Sequence, residues 1–287
     1  MIIASLFFAS TGAFAKALSA DGMSSVEVSF FRNLVGLFII FFAIYKYGVN
    51  NKGGMPVVLF LRGFIGTISM LAFFYNIASI GLAEAFIFTK MAPMFLGIFG
   101  TLFFGEKLSN KAWFGIIVGF FGILMIMQPN LGIEKAHIMG FLNGVLAAVA
   151  YMSVHELRKA YDTKTIVLSF MLNGTIIPLL CMIVAGFIQT PVFFDFMFAK
   201  FVIPTSSMWG WIVLMGVSGF IFQTFVTKAY AASKSAGTVA AIGYCDIVFT
   251  LMIGWFMGDD LPNVLAMIGI IVVIISGVIT ALENKKA

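Results

Sequence analysis

Two charged residues stand where an apolar chain tolerates them least. Lys90 interrupts the run GLAEAFIFTKMAPMFLGIFGTLFFGEKLSN from Gly81 to Asn110, and Asp246 interrupts KSAGTVAAIGYCDIVFTLMIGWFMGDDLPN from Lys234 to Asn263. An ionised side chain inside hydrocarbon is costly unless it faces protein or water, so each is a functional candidate by default. The second run begins 153 residues after the first and repeats its layout: Phe104-Gly105-Glu106 is answered by Met257-Gly258-Asp259, and Leu108 and Asn110 fall on Leu261 and Asn263. Asp246 falls on Pro93, which places Lys90 and Asp246 one helical turn apart in equivalent frames. Lys90 can contact a substrate carboxylate or phosphate, or form a permanent ion pair with Asp246 or Glu84. Asp246, beside Tyr244, suits proton coupling or cation binding, with a static salt bridge as the alternative. Pro93 can kink its helix or free a backbone carbonyl for a polar ligand.

Other polar residues in apolar runs complete the candidate set. Arg32 and Glu27 are read as an outer gate pair or as headgroup anchors. Tyr151, Gln223, Asn76 and Asn173 can line a cavity or bond between helices. His155, followed by Glu156, Arg158 and Lys159, can sense pH or gate, or simply close a solvated helix end. With only two histidines, no His-Glu-x-x-His and no paired aspartates on facing spans, the sequence offers no catalytic constellation, metal site or cofactor motif. Glycines such as Gly36, Gly97, Gly100, Gly115, Gly119, Gly122, Gly216 and Gly219 read as close helix packing rather than as phosphate loops, because no strand precedes them.

The elements that must hold these residues follow from composition. The chain is 61% hydrophobic and 10% charged, against about 25% charged in soluble domains, so it is expected to be an all-α integral membrane protein. Hydropathy places ten transmembrane helices near residues 2–19, 27–47, 57–79, 83–104, 111–128, 137–156, 165–188, 207–231, 236–257 and 262–281. Within the long connection at 189–206, the stretch PVFFDFMFAKFVI (191–203) is expected to lie along the interface as an amphipathic segment. With both termini cytoplasmic, Lys46, Lys52, Arg62, Lys107, Lys111, Arg158, Lys159, Lys164, Lys228, Lys234, Lys285 and Lys286 fall inside, against Lys16, Lys135 and Lys200 outside. This bias of 12 to 3 sets the orientation, because basic residues resist translocation. It also explains the net charge of +5 without a nucleic-acid partner. Five spans per half put the halves in opposite orientations, an inverted repeat suited to alternating access.

Ten spans in two such halves, with Pro93 followed by Phe104-Gly105-Glu106-Lys107-Leu108-Ser109, resemble the EamA branch of the drug/metabolite transporter superfamily over the whole chain. Glu27-Val28-Ser29-Phe30-Phe31-Arg32, Leu61-Arg62-Gly63, Tyr244 with its acidic neighbour, and Asp260-Leu261-Pro262 are similar to the subgroup containing S-adenosylmethionine uptake carriers. The resemblance implies two EamA repeats, 1–130 and 131–287, in the bacterial cytoplasmic (inner) membrane. It also implies a central cavity lined mainly by spans 1, 3, 4, 6, 8 and 9. Two departures from the family pattern stand out: Lys90 occupies a place where related carriers often have an uncharged residue, and Asp259 replaces the usual Glu. The function expected is secondary transport of a small polar metabolite such as an amino acid, nucleobase or nucleoside-like compound. Substrate contacts fall to Lys90, Asp246, Tyr244, Arg32, Tyr151, Gln223 and Asn76, and coupling or gating to Asp246, Glu84, Glu27 and His155. The expected partners are that substrate, the lipid bilayer and a coupling proton, in a monomer or homodimer. Export of amino acids or toxic aromatic compounds is the alternative, with a channel or intramembrane enzyme behind it.

Overall fold

The computed structural model describes residues 1–80, 82–104, 109–127, 134–232, 239, 242–243, 245–258 and 262–283. Every regular element among them is helical. In chain order these are α1 (Ile2–Ala20), α2 (Ser25–Tyr47), α3 (Pro56–Ser79), α4 (Leu82–Thr89), α5 (Ala92–Phe104), α6 (Asn110–Met127), α7 (Lys135–Leu157), α8 (Thr163–Phe187), α9 (Met208–Ala232), α10 (Cys245–Phe256) and α11 (Val264–Glu283). Seven helices are long and apolar enough to cross a membrane, counting Leu82–Leu102 as one. Trp113–Ile126, Asp246–Phe256 and Val264–Ile279 are shorter apolar helices. The protein is a multi-pass membrane protein.

Local chemistry sets the helix ends. Ser24 and Glu27 form a reciprocal capping box at the start of α2, Pro56 opens α3, and Asp162 caps α8 through the Lys164 amide at 2.9 Å. The apolar run expected as one helix from 83 to 104 is split at Lys90 and Met91. Pro93 sits at the second position of α5, where its missing N–H costs nothing. The chain ahead of it tightens: the Lys90 amide donates to Ile87 O at 2.9 Å and the Met91 amide to Phe88 O at 3.1 Å. The break brings Lys90 to a helix junction.

Helix α3 lies along α7, and α1 along α9. Helix α2 packs on α9 and α3 on α8, while α1 meets α10 and α7 meets α4 and α5. The pairs α2 with α8, α4 with α10 and α6 with α11 close the bundle. Small residues allow the tight crossings: a side chain on Gly140 of α7 would run into the Phe88 ring of α4, and one on Gly219 of α9 into the Arg32 guanidinium of α2. Phenylalanines meet at the centre, with Phe8 stacked on Phe222 at 4.3 Å and against Phe86 at 4.5 Å. Outward faces carry exposed apolar side chains such as Phe38, Phe42, Phe121 and Leu102, as lipid contact requires.

Loops tie both ends of the bundle. At one end the Lys52 amide donates to Ala160 O at 2.8 Å, the Asp162 amide to Asn51 Oδ1 at 2.9 Å and Lys164 Nζ to Gly48 O at 2.7 Å. The 189–206 connection lies at the other end. It holds one 3-10 turn, Val192–Phe194, and buries Phe196 among Val26, Leu71, Met139 and Met182. Lys135 at the start of α7 pairs with Asp195, and the Val202 amide donates to Glu27 Oε1 at 2.7 Å.

Candidate functional site

The split in the α4–α5 span and the start of α10 meet at the middle of the bundle, where Lys90 Nζ pairs with Asp246 Oδ2. Both side chains are buried, 10% and 2% exposed. Lys90 also lies 5.7 Å from the centre of the Phe8 ring. Asp246 Oδ1 is buried without a hydrogen-bond partner among the described residues. The pair borders a small cavity of about 30 Å³ with Phe8, Thr89, Tyr151, Phe222, Tyr230 and Gly243. Tyr151 stacks on Tyr230 at 4.8 Å.

Phe8, Thr89, Tyr151 and Phe222 also wall a second cavity, of about 60 Å³, into which Arg32 and Arg62 reach. Both guanidiniums are buried, 3% and 2% exposed. Arg32 donates through Nη1 to Asn33 Oδ1 at 3.2 Å and Met70 Sδ at 3.1 Å, and through Nη2 to Gly219 O at 3.1 Å. Its Nε has no partner among the described residues, and neither do Nε and Nη1 of Arg62. The two guanidinium carbons approach the same Phe170 ring, at 5.7 Å and 4.8 Å from its centre. Asn143 staples the wall, accepting from Thr89 Oγ1 at 2.9 Å and donating to Ser69 O at 2.8 Å, which ties α4, α7 and α3 together.

The structure brings Lys90, Asp246, Arg32, Tyr151 and Gln223 to this double cavity and leaves Asn76, Glu84, Glu27 and His155 elsewhere. Asn76 is buried against Gly140 of α7 and lines neither chamber. Glu84 stands near His137 and Glu134 at the far end of α4 and does not reach Lys90, whose carboxylate partner is Asp246. Glu27 serves the capping box and the 189–206 loop, not Arg32. Five residues on a helix turn about 500°, so Glu27 and Arg32 face different directions. His155 lies 3.5 Å from Arg158 near the end of α7. Tyr244, Gly105–Leu108 and Asp259–Leu261 lie outside the described residues. Arg62, counted above as a cytoplasmic basic residue, is instead a buried wall of the cavity, as are Ser69, Thr89 and Asn143. The signal that singled out Asn76, an amide inside an apolar run, applies equally to Asn143.

The EamA-like transporter family model matches residues 1–128. An uncharacterised transporter of Helicobacter pylori is 33% identical over 98% of this chain and 93% of its own length. The chain belongs to the EamA-like transporter family. This EamA-like protein is also 29% identical to the pseudopaline exporter CntI of Pseudomonas aeruginosa, over 99% of this chain and 95% of that one. It is 23% identical to an S-adenosylmethionine uptake transporter of Rickettsia conorii, over 92% and 85% of the two chains. These relatives place it in the drug/metabolite transporter superfamily. A crystal structure aligns with 98% of both chains at a TM-score of 0.63 and 17% identity, which bears on the fold alone. In this EamA-like protein the two chambers sit where helices from the first and second halves of the chain face each other.

Proposed function

We propose that this protein is a secondary active transporter that moves a small polar metabolite by alternating access between two inverted five-helix repeats, residues 1–130 and 131–287. The observation that carries the reading is the double cavity at the centre, walled by α1, α2, α3, α4 and α7–α10 and holding a buried Lys90–Asp246 pair. The helix contacts support the repeat. Counting α4 and α5 as one span and moving each span five places on, α3–α7 maps to α9–α1, α2–α9 to α8–α3, and α1–α10 to α7–α4/α5. The contacts α2–α8, α4–α10 and α6–α11 map onto themselves. The family match to residues 1–128 supports a division near residue 130.

Within this reading Lys90, Asp246, Arg32, Tyr151 and Gln223 contact substrate, with Arg62 added to them. Asp246, with one oxygen committed to Lys90 and the other buried without a partner among the described residues, is the coupling group for a proton. The residual basic bias, eleven to three once Arg62 is removed from the count of twelve, favours cytoplasmic termini in a bacterial inner membrane. The aromatic walls at Phe8, Phe73 and Phe222 keep export of an aromatic or amphipathic compound as a second reading.

Counterflow into proteoliposomes tests the proposal. A carrier gives saturable uptake that is accelerated by unlabelled substrate on the opposite side and reduced at least tenfold by Asp246→Asn. Linear, non-exchanging flux would make the protein a channel instead.

A further inference from the structure

The geometry points to a carboxylate-bearing organic anion as the substrate, held between Arg32 and Arg62, an assignment that rests on the transporter reading above. Three observations carry it. First, the charge of the cavity does not balance within the protein. Lys90 is answered by Asp246, but among the described residues lining the Arg32–Arg62 chamber there is no carboxylate. Glu27 is committed to Ser24 and Val202, Glu84 stands near His137, and Glu156 pairs with Lys159. A buried charge without a counter-charge is strongly disfavoured, so two of them in one chamber mark the place of an anion supplied from outside the fold.

Second, both guanidiniums line one chamber with donors left over. Arg32 has committed Nη1 and Nη2 to the scaffold, while its Nε, beside Gly219, and the Nε and Nη1 of Arg62, the latter beside Gly66, have no partner among the described residues. Both guanidiniums approach the Phe170 ring at the chamber wall. Guanidinium groups recognise planar oxyanions through paired, charge-assisted N–H bonds. Arg32 is thus the fixed half of the clamp and Arg62 the half with capacity to spare.

Third, the rest of the chamber suits the body of such a molecule. Thr11, Ser69 and Gln223 offer hydroxyl and amide groups for amino or hydroxyl substituents, and Phe8, Phe73 and Phe222 offer an apolar wall. With two unbalanced positive charges, a dicarboxylate neutralises the chamber completely. A sulfonium cation such as S-adenosylmethionine adds to the imbalance.

The experiment is thermal unfolding of the full-length protein in dodecylmaltoside with succinate, citrate, glutamate, glucose 6-phosphate or S-adenosylmethionine, in wild type, Arg32→Gln, Arg62→Met and Arg62→Lys. A ligand bound only to the folded state raises Tm. The expected result is stabilisation of wild type by carboxylates, with affinity lowered roughly 30-fold or more in Arg62→Met and partly retained in Arg62→Lys. Arg62→Met should also unfold at a higher temperature than wild type without ligand, because it removes a buried charge whose Nε and Nη1 have no partner among the described residues. A purely structural Arg62 would give a lower Tm. Arg32→Gln removes scaffold bonds as well, so Arg62→Met decides the case if Arg32→Gln does not fold. Stabilisation by the phosphate ester or by S-adenosylmethionine alone overturns the assignment, as does a carboxylate response that survives in Arg62→Met or no carboxylate response at all. Arginine-dependent carboxylate binding without counterflow would leave the anion site standing and remove the transporter reading instead.

Discussion

Cutting the Lys90–Asp246 pair from either side, and then from both, should give very different costs. In Lys90→Met the carboxylate of Asp246 is stranded at 2% exposure, and in Asp246→Asn the ammonium of Lys90, 10% exposed, loses its carboxylate. Stranding one partner of a buried pair costs about 3–5 kcal/mol. An independent ceiling comes from neutralising the stranded group at pH 7, at about 1.36 kcal/mol per pH unit. That is about 4.2 kcal/mol from an ordinary Asp value of about 3.9 and about 4.6 kcal/mol from an ordinary Lys value of about 10.4. Each single variant should therefore lose about 3–4 kcal/mol. Lys90→Met/Asp246→Asn strands no charge and leaves one buried amide, costing about 1–2 kcal/mol. The singles then sum to about 7 kcal/mol against about 1–2 for the double, a coupling of about 5 kcal/mol, within the range known for close charge pairs. The assay is unfolding by SDS titration in mixed micelles, followed by fluorescence of the four tryptophans. Additive losses, with coupling below about 0.5 kcal/mol, would show that the two charges do not share one buried site and would refute the reasoning.

Three further outcomes are expected. Asn143→Ala should cost about 2 kcal/mol in the same titration, because it leaves the Thr89 hydroxyl and Ser69 without their shared partner; a loss below about 0.5 kcal/mol would show the staple to be idle. Gly140→Val should destabilise by about 2 kcal/mol or more, since its side chain must displace the Phe88 ring, and an unchanged unfolding midpoint would mean that α4 and α7 do not cross there. Replacing Lys135 and Asp195 by cysteines and joining them with a short bis-methanethiosulfonate linker should tie the loop that closes one end of the bundle and stop counterflow until the linker is reduced; undiminished exchange in the fully crosslinked protein would show that this end stays shut during transport.

Most of the helix plan was readable from hydropathy, because a bilayer sets span length and leaves turn residues conspicuous. The expected spans 27–47 and 57–79 correspond to Ser25–Tyr47 and Pro56–Ser79. The split at Lys90 was readable from Pro93, although as a kink. What hydropathy could not show is which face of a span is inside. In water, amphipathicity sorts faces; in lipid both the core and the outer face are apolar. Arg62 therefore counted as one more cytoplasmic basic residue, and only the packing of α3 on α7 and α8 turns it inward. Asn76 and Asn143 were indistinguishable by type, yet one faces Gly140 and the other staples the cavity wall. Glu27 is the opposite case: Ser24-x-x-Glu27 is a capping box that the sequence already contained, and reading the carboxylate as a gate overlooked it.

The uneven charge of the chambers has an electrical consequence. Among the described residues Arg32, Arg62 and Lys90 against Asp246 leave the chambers two charges positive, and in the carrier proposed above that charge would lie where the membrane field falls across whichever barrier is closed. Exchanging barriers moves that charge through as much as the whole potential, worth about 2.3 kcal/mol per charge per 100 mV, so about 4.6 kcal/mol at most. A dianion in the clamp brings the site to neutrality and removes this term. The loaded protein would then reorient indifferently to voltage, and only its empty return would feel the field. Membrane potential would set the rate of the return step without contributing to the step that carries cargo.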